Sequence, residues 1–159
     1  MAKTKYPVTP AVRFLKHNKI AFDSFLYQYE EKGGTEQTAR ELNLEHHSVV
    51  KTIVLEDESG NVCIALQHGD REISTKELAR IIGCKSLSPC DQKKAQKLTG
   101  YQFGGTSPFG TLRKLAVYAE ESIFDLEKIY INGGKRGYIL GIEPRELEVL
   151  AVTKVSVAV

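Results

Sequence analysis

The chain lacks several features that would place it in a class at once. Among its 159 residues, no apolar stretch approaches the roughly 18 residues that a membrane-spanning helix needs. The segment from Met1 to Lys5 also lacks the apolar block of a signal peptide. We therefore expect a cytoplasmic protein that makes no contact with a membrane.

Cysteine is scarce, and no C-x-x-C pair is present. The three cysteines, Cys63, Cys84 and Cys90, are an odd number in a chain without an export signal, so a disulfide framework is not expected. A catalytic thiol would need a neighbouring base, and the sequence identifies none. We interpret these residues as buried thiols.

The net charge is also small, because the chain has 22 basic and 20 acidic residues. A net charge of +2 cannot hold a nucleic acid tightly through the field of the whole molecule. Short basic clusters occur at 93–97, 113–114 and 135–136. Each cluster could meet phosphates, or it could be ordinary solvated surface.

Motifs for common cofactors are missing. Neither a Walker P-loop nor a G-x-G-x-x-G dinucleotide fingerprint is present. His46 and His47 are adjacent and should point apart, while His17 and His68 lie in unrelated segments. The sequence therefore predicts surface histidines, no metal site and no cofactor.

The composition is that of an ordinary globular protein, with 42% hydrophobic and 26% charged residues. A chain of this length is expected to form one domain over residues 1–159. Capping patterns at Thr9-Pro10 and at Ser74 to Glu77 predict two helices, and Thr35 is expected to cap a third. The predicted helices are 10–17, 36–42, 75–82, 92–98 and a segment near 144–150.

Runs of β-branched and apolar residues predict strands, the strongest at 49–55 with a hairpin partner at 62–66. Further strands are expected at 21–29, 115–119, 128–132, 138–141 and 152–157. Strands and helices mix without strict alternation, so the fold class is α+β, or α/β with a mixed sheet. A long glycine-rich loop at 100–110 interrupts the pattern.

One lysine falls on an apolar strand face. Side chains alternate along a strand, so Lys51 shares its face with Ile53 and Leu55. A confined ammonium could bind a carbonyl, a carboxylate or a phosphate. Alternatively, the lysine protects an edge strand from aggregation.

Two glycine pairs, Gly104-Gly105 and Gly133-Gly134, lie in predicted loops beside strands. Glycine lets backbone N–H groups approach a ligand closely, so either loop could form an oxyanion hole or a phosphate nest. Ordinary tight turns would give the same pattern. From the residues alone, a pocket is indicated but a reaction is not.

Several motifs together resemble the YbaK/EbsC family. They are Thr9-Pro10, Tyr27, the Lys-Thr pair at 51–52, the run G-G-T-S-P-F-G at 104–110 and the run N-G-G-K-R-G at 132–137. This family is similar to the editing domain inserted in bacterial prolyl-tRNA synthetases. The resemblance implies a mixed or antiparallel sheet, or a partly closed barrel, flanked by helices.

The same resemblance implies a function and a set of site residues. Family members remove an amino acid from a mischarged tRNA, most typically cysteine from proline tRNA, and the substrate's own thiol attacks its ester. The implied partners are the aminoacyl-tRNA acceptor end and prolyl-tRNA synthetase. The implied site residues are Lys51 as the catalytic group; Tyr27, Gly104, Gly105, Ser107, Asn132, Gly133 and Gly134 at the substrate; and Lys135 and Arg136 at the tRNA.

Two positions depart from the family pattern. Asn132 stands where a serine is expected, and Ile139 stands where an aspartate is expected. The amino acid removed is therefore left open, with alanine on proline tRNA as an alternative to cysteine. A module that binds tRNA or a synthetase without turnover is the alternative from another class.

Overall fold

The computed structural model describes residues 5–159, in which eight strands form one mixed sheet with helices around it. The strands are β1 (Asp23–Leu26), β2 (Val49–Asp57), β3 (Val62–His68), β4 (Leu87–Pro89), β5 (Ala116–Glu120), β6 (Ile129–Asn132), β7 (Tyr138–Ile142) and β8 (Thr153–Val155). The mixed sheet flanked by helices confirms the fold class expected from the sequence.

The α-helices are α1 (Pro10–His17), α2 (Gly34–Leu42), α3 (Thr75–Ile82) and α4 (Gln92–Thr99). The predicted caps of α1 and α3 are confirmed, since the side chains of Thr9 and Ser74 accept from the third residue of each helix. The predicted cap of α2 is wrong. The helix begins one residue before Thr35, and the Thr35 hydroxyl instead lies 2.8 Å from His46 Nε2.

Three further predictions differ from the structure. Strand β1 has four residues instead of nine, because the Tyr27 N–H leaves the ladder and donates to the Gly137 carbonyl in a loop. Strand β4 was not predicted, since three residues ending in proline carry no period. The segment Pro144–Leu150 is a 3₁₀ helix and not an α-helix.

The strand order is β1-β7-β6-β2-β3-β5-β8, with β4 added to β2. The pairs β2/β6, β3/β5 and β5/β8 are parallel, and the others are antiparallel. Strand β2 is therefore interior to the sheet. The edge-strand explanation of Lys51 does not fit β2 as a whole, which has paired neighbours on both sides, although Lys51 itself is paired on the β3 side alone.

The sheet opens along the middle of β2. On one side, β3 pairs with the whole stretch from Val50 to Glu56. On the other side, β6 pairs only at Val49 and Val50, and β4 pairs only from Leu55 onward. Residues 51–54 are thus flanked by a gap between two diverging strands, which the Cys90 N–H closes at its far end by donating to the Val54 carbonyl at 2.9 Å.

Two apolar clusters hold the sheet from its opposite faces. The larger packs Val50, Leu66, Ile131 and Leu140 with α1, and the smaller packs Leu55, Ala65, Leu78 and Val157 with α3. Burying each large side chain contributes about 1.5–3 kcal/mol. None of the helices found within residues 5–159 is both long and apolar enough to span a bilayer.

Candidate active site

A cavity of about 550 Å³ occupies the gap beside β2. All six residues from 49 to 54 line it, because the gap exposes both faces of the strand. Aromatic side chains form much of the remaining wall: Tyr27, Tyr29, Tyr101 and Phe103. Helices α2 and α4 also line the cavity, through Thr35, Thr38, Gln92 and Gln96. A space of this size is typical of small-molecule sites.

Lys51 lines the cavity from the middle of β2. Its ammonium lies 3.4 Å from a carboxylate oxygen of Glu72, which also borders the cavity. The Lys51 side chain is 18% exposed and that of Glu72 is 82% exposed. The lysine is thus confined, while its partner is exposed to solvent. An ion pair with an exposed partner contributes little stability.

The next residue along the strand carries an unsatisfied group. Thr52 lies on the opposite face of β2 from Lys51 and also borders the cavity. Its hydroxyl oxygen is buried without a hydrogen-bond partner, the one such side-chain atom among the described residues. A buried polar group without a partner costs free energy, so the wall of the cavity holds one unsatisfied hydrogen-bonding group at Thr52.

The two residues of the first glycine pair have different positions: Gly104 lines the cavity, and Gly105 lies behind its wall. Gly104 lines the cavity with φ of +87°, and a Cβ there would lie 2.6 Å from the Tyr29 hydroxyl. Both the conformation and the close approach require glycine. Gly105 is buried behind it and packs against the backbone of Lys135 and Arg136.

The Asn132 side chain connects the two glycine loops by hydrogen bonds. Its side-chain N–H₂ donates to the Gly104 carbonyl at 3.1 Å, and its oxygen accepts from the Gly134 N–H at 2.7 Å. The Thr9 hydroxyl donates to the Gly133 carbonyl, which ties the second loop to α1. Gly133 and Gly134 therefore lie behind the cavity wall, whereas Asn132 lines it.

Ser107 lies away from the cavity surface. It is completely buried, and its hydroxyl accepts from the Phe109 N–H at 3.2 Å. The Tyr101 hydroxyl donates to the Phe109 carbonyl, so both contacts shape the loop from within. Of the predicted substrate residues, Tyr27, Gly104 and Asn132 line the cavity together with the predicted catalytic residue Lys51, and the others lie behind its wall.

The two predicted tRNA contacts line a neighbouring groove. Lys135 is exposed, and Arg136 is half-buried. The Arg136 side chain donates through Nε to the Phe103 carbonyl at 2.7 Å, and its guanidinium lies 4.9 Å from the centre of the Tyr29 ring. Such a cation–π contact fixes the charge beside the cavity.

Cys90 lines the cavity, which its sequence context did not indicate. Partial burial raises the pKa of its thiol, and hydrogen bonding to the Glu56 carboxylate raises it further. A protonated thiol is a poor nucleophile. Of the three predicted buried thiols, Cys63 is buried, whereas Cys84 and Cys90 are only half-buried.

The prediction that all histidines lie on the surface is wrong for His68. Its ring is buried and stacks on that of His47 at 3.6 Å, with its nitrogens within 2.7 Å of the His47 carbonyl and 2.6 Å of the Ser122 hydroxyl. Burial lowers the pKa of His68. His47 lies 2.8 Å from Asp70.

Two clusters of the described residues have ligand atoms close enough for a metal ion. In the cluster of His47, His68 and Asp70, both nitrogens of His68 already have partners. In the cluster of Asp57, Glu58 and Cys84, both carboxylates already accept backbone N–H bonds. Neither cluster borders the cavity.

Comparison with known proteins defines the class. The model of the aminoacyl-tRNA editing domain matches residues 30–150, and this chain belongs to that family. The chain is 28% identical over 149 residues to the Enterococcus faecalis protein named "Putative Cys-tRNA(Pro)/Cys-tRNA(Cys) deacylase EbsC", covering 92% of this chain and 91% of that protein. The family resemblance noted in the sequence is thereby confirmed.

Two further comparisons are with a longer relative and with a solved structure of similar extent. The chain is 29% identical over 147 residues to the proline–tRNA ligase of Thermodesulfovibrio yellowstonii, covering 91% of this chain and only 23% of the ligase. A crystal structure of "a putative trans-editing enzyme for prolyl tRNA synthetase" superimposes with a TM-score of 0.81 at 20% identity, covering 96% of this chain and 99% of that one. At that identity, the likeness supports the fold alone.

Proposed function

We propose that this protein is a trans-acting deacylase that removes cysteine from mischarged proline tRNA in the cytoplasm. The observation that carries the proposal is the cavity beside β2, where the Lys51 ammonium and the unpartnered Thr52 hydroxyl flank one space. Full-length similarity to a protein named as a cysteinyl-tRNA deacylase supports the choice of substrate.

The chemistry that suits this cavity uses a nucleophile from the substrate. The cysteine thiol sulfur attacks the carbonyl carbon of its own ester, and the bond from that carbon to the ribose oxygen breaks. The ribose oxygen takes up the proton that the thiol loses, so a cyclic thiolactone and free tRNA leave. The raised pKa of the Cys90 thiol agrees with a protein that supplies no thiolate of its own.

In this proposal, the protein contributes position and charge. Lys51 stabilises the negative charge that develops on the ester carbonyl oxygen, since an ammonium confined away from water acts more strongly than one in solvent. Gly104 presents backbone to the aminoacyl group, and Tyr27 lines the path of the terminal nucleoside. Thr52 supplies a hydrogen bond to the substrate and gains the partner that it lacks.

A second candidate substrate is alanine on the same tRNA. Ile139 is buried and lines the cavity, so the wall is apolar where the family pattern has an aspartate. The Asn132 amide is already committed to Gly104 and Gly134. An apolar wall suits a methyl side chain, and a bound water would then attack the ester, because alanine has no thiol.

The decisive experiment is a single-turnover assay with three purified substrates: proline tRNA carrying cysteine, alanine or proline. We expect fast release of cysteine, slow release of alanine and none of proline. Faster release of alanine would make alanine the substrate. If none of the three amino acids is released, with or without added prolyl-tRNA synthetase, the protein would be a module that binds tRNA or a synthetase without turnover. The Lys51→Ala variant serves as the control for contaminating activity.

A further inference from the structure

The main chain in the middle of β2 alternates in direction between β3 and the cavity. In a strand, the N–H and C=O of one residue point to one side, and those of the next residue point to the other. The Gly69 N–H donates to the Val49 carbonyl at 2.6 Å on the β3 side, whereas the Cys90 N–H donates to the Val54 carbonyl at 2.9 Å on the opposite side. The main-chain groups of Thr52 therefore point the same way as those of Val54, away from β3.

Neither neighbouring strand reaches the main-chain groups of Thr52. Strand β6 pairs with β2 only at Val49 and Val50, and β4 pairs with it only from Leu55 onward. Within residues 5–159, no other backbone group bonds to the Thr52 N–H or carbonyl on this side. The great majority of backbone groups inside proteins are paired. Thr52 therefore presents one unpaired donor and one unpaired acceptor to the cavity that it lines.

The unpaired stretch has the length of a single residue. Val50 is paired with Ile131 at one end, and the Val54 carbonyl accepts from Cys90 at the other. An added peptide strand would need several unpaired residues in succession, because its bonds to a neighbouring strand recur at every second residue. The gap therefore suits a ligand with one amino-acid unit and does not suit an extended peptide.

One amino-acid unit can satisfy both main-chain groups of Thr52. In the hydrogen-bonded pair of an antiparallel ladder, two opposed residues exchange both of their N–H···O bonds. An α-ammonium would then donate to the Thr52 carbonyl, and the carbonyl oxygen of the same unit would accept from the Thr52 N–H. A parallel arrangement would divide these two bonds between different residues of the partner. The antiparallel arrangement alone lets a single aminoacyl group make both.

The same pairing determines where the side chain of the ligand lies. Directly opposed residues of an antiparallel pair place their side chains on the same face of the sheet. An L-amino-acid side chain would therefore lie beside the Thr52 hydroxyl, whose oxygen is buried without a partner. A D-amino acid would direct its side chain to the other face, which is that of Lys51. The arrangement consequently distinguishes the two enantiomers.

We propose that the Thr52 main chain binds the α-ammonium and the ester carbonyl of an L-aminoacyl group, which completes the β2 ladder as a strand of one residue. This inference rests on the proposed function for its choice of an aminoacyl ester. The backbone then recognises what all L-amino acids share, and the cavity walls select the side chain. The Thr52 N–H also donates to the oxygen on which negative charge develops. The carboxylates of Glu36 and Glu72, which line the cavity, are the competing partners of the ammonium.

The first test is amide hydrogen exchange, followed residue by residue by NMR. In the free protein, the Thr52 N–H should exchange at least about tenfold faster than that of Ile53, which is paired with Ala65 of β3. The probe is the amide of L-alanine with 3′-amino-3′-deoxyadenosine, which resembles the substrate but has no ester to cleave. At saturation, it should slow exchange at Thr52 by about tenfold or more and leave the rate at Ile53 unchanged.

The second test compares analogues of the probe by calorimetry. The propanoyl analogue lacks the ammonium and should bind at least about tenfold more weakly than the alanyl probe. The D-alanyl analogue should bind several-fold more weakly. The double variant Glu36→Gln/Glu72→Gln removes both competing carboxylates but keeps the main chain, so the ratio of alanyl to propanoyl affinity should stay within about twofold of wild type. Thr52→Val, which also keeps the main chain, should preserve this ratio.

Three results would overturn the proposal: an alanyl probe that does not bind, equal binding of the alanyl and propanoyl probes, or a bound probe that leaves the Thr52 amide unprotected. Collapse of the affinity ratio in the glutamate double variant would do so too, because a carboxylate would then hold the ammonium. Fast release of cysteine from tRNA with an unprotected Thr52 amide would refute this binding mode but leave the deacylase. Protection of Thr52 by the probe without release of any amino acid from tRNA would refute the deacylase but leave the binding mode.

Discussion

The amide nitrogen of Asn132 lies 3.1 Å from the carbonyl oxygen of Gly104, so one side chain joins two loops that are far apart in sequence. Its amide oxygen accepts from Gly134 at 2.7 Å. The position of the Gly104 backbone at the cavity thus depends on Asn132.

We expect Asn132→Leu to impair catalysis by loosening the Gly104 loop. The substitution removes two hydrogen bonds of about 1 kcal/mol each, so deacylation should fall about tenfold and the free energy of unfolding by about 1–2 kcal/mol. Asn18→Ala is the matched control, because it removes an exposed hydrogen bond at the end of α1. Unchanged turnover by Asn132→Leu would show that the loop is held by other contacts.

Thr52→Val should separate stability from activity. The valine has nearly the same shape but no hydroxyl, so the free protein should become more stable by about 1 kcal/mol, because an unsatisfied buried group is removed. Activity should fall several-fold, since the substrate loses a hydrogen bond. Urea unfolding and single-turnover rates provide the two measurements. A variant that is more stable and fully active would remove Thr52 from the substrate site.

Lys51→Ala should lower deacylation by at least about tenfold, equivalent to roughly 1.4 kcal/mol of transition-state stabilisation. The fold should persist, because the one hydrogen bond of the lysine side chain is a long one to the exposed side chain of Glu72. Lys51→Arg should also lower the deacylation rate, since a planar guanidinium does not replace a compact ammonium in a fitted pocket. A folded Lys51→Ala variant with the wild-type rate would disprove the catalytic role; melting curves establish the folding.

His68 should make stability depend on pH. The folded protein keeps His68 neutral because burial lowers its pKa, while His47, Asp70 and Glu120 supply the neighbouring charges. The unfolded chain binds a proton below about pH 6.5, and the folded chain does so only at lower pH. The stability conferred by neutral His68 is therefore complete above that pH and is lost as the pH falls.

The experiment compares unfolding free energies between pH 7.5 and pH 5. Each pH unit in which only the unfolded state titrates costs about 1.4 kcal/mol. His68→Gln should flatten this dependence, whereas His17→Gln, which alters an exposed residue, should not. Equal slopes in wild type and His68→Gln would mean that another group governs the acid transition.

Cys63 should resist alkylation in the native protein. Burial raises the pKa of its thiol to about 11, so almost no thiolate exists near neutral pH. We expect iodoacetamide at pH 7.5 to modify Cys63 only after denaturation, as followed by mass spectrometry. Cys84, which is only half-buried, provides the internal comparison, because iodoacetamide should modify it faster than Cys63 in the native protein. Rapid native labelling of Cys63 would contradict its burial.

Local signals explain which parts of this fold could be predicted. Thr9 and Ser74 mark helix starts through bonds within four residues, so their patterns are readable in the sequence. Thr35 has the same side-chain chemistry, but its hydroxyl contacts His46 and the Gly69 carbonyl, which lie in later segments of the chain. A contact of that kind depends on tertiary structure and leaves no local signature.

The residues of the site also differ in whether a local sequence pattern or only the tertiary structure reveals their position. Alternation along β2 placed Lys51 on the apolar face of Ile53, and the structure packs Ile53 against the smaller core. The gap beside Thr52 arises from the registers of β4 and β6, which lie far from β2 in sequence. Strand register over such distances cannot be read from one sequence. The positions of Thr52 and Cys90 at the cavity consequently emerged only in three dimensions.

The gap beside β2 also governs when the site can exist during synthesis. One wall comes from residues 49–54, and another comes from Asn132 and Ile139, about half the chain later. The ribosome adds about 5–20 residues per second, so β6 is synthesised several seconds after β2. A nascent chain therefore holds no complete cavity until β7 has emerged.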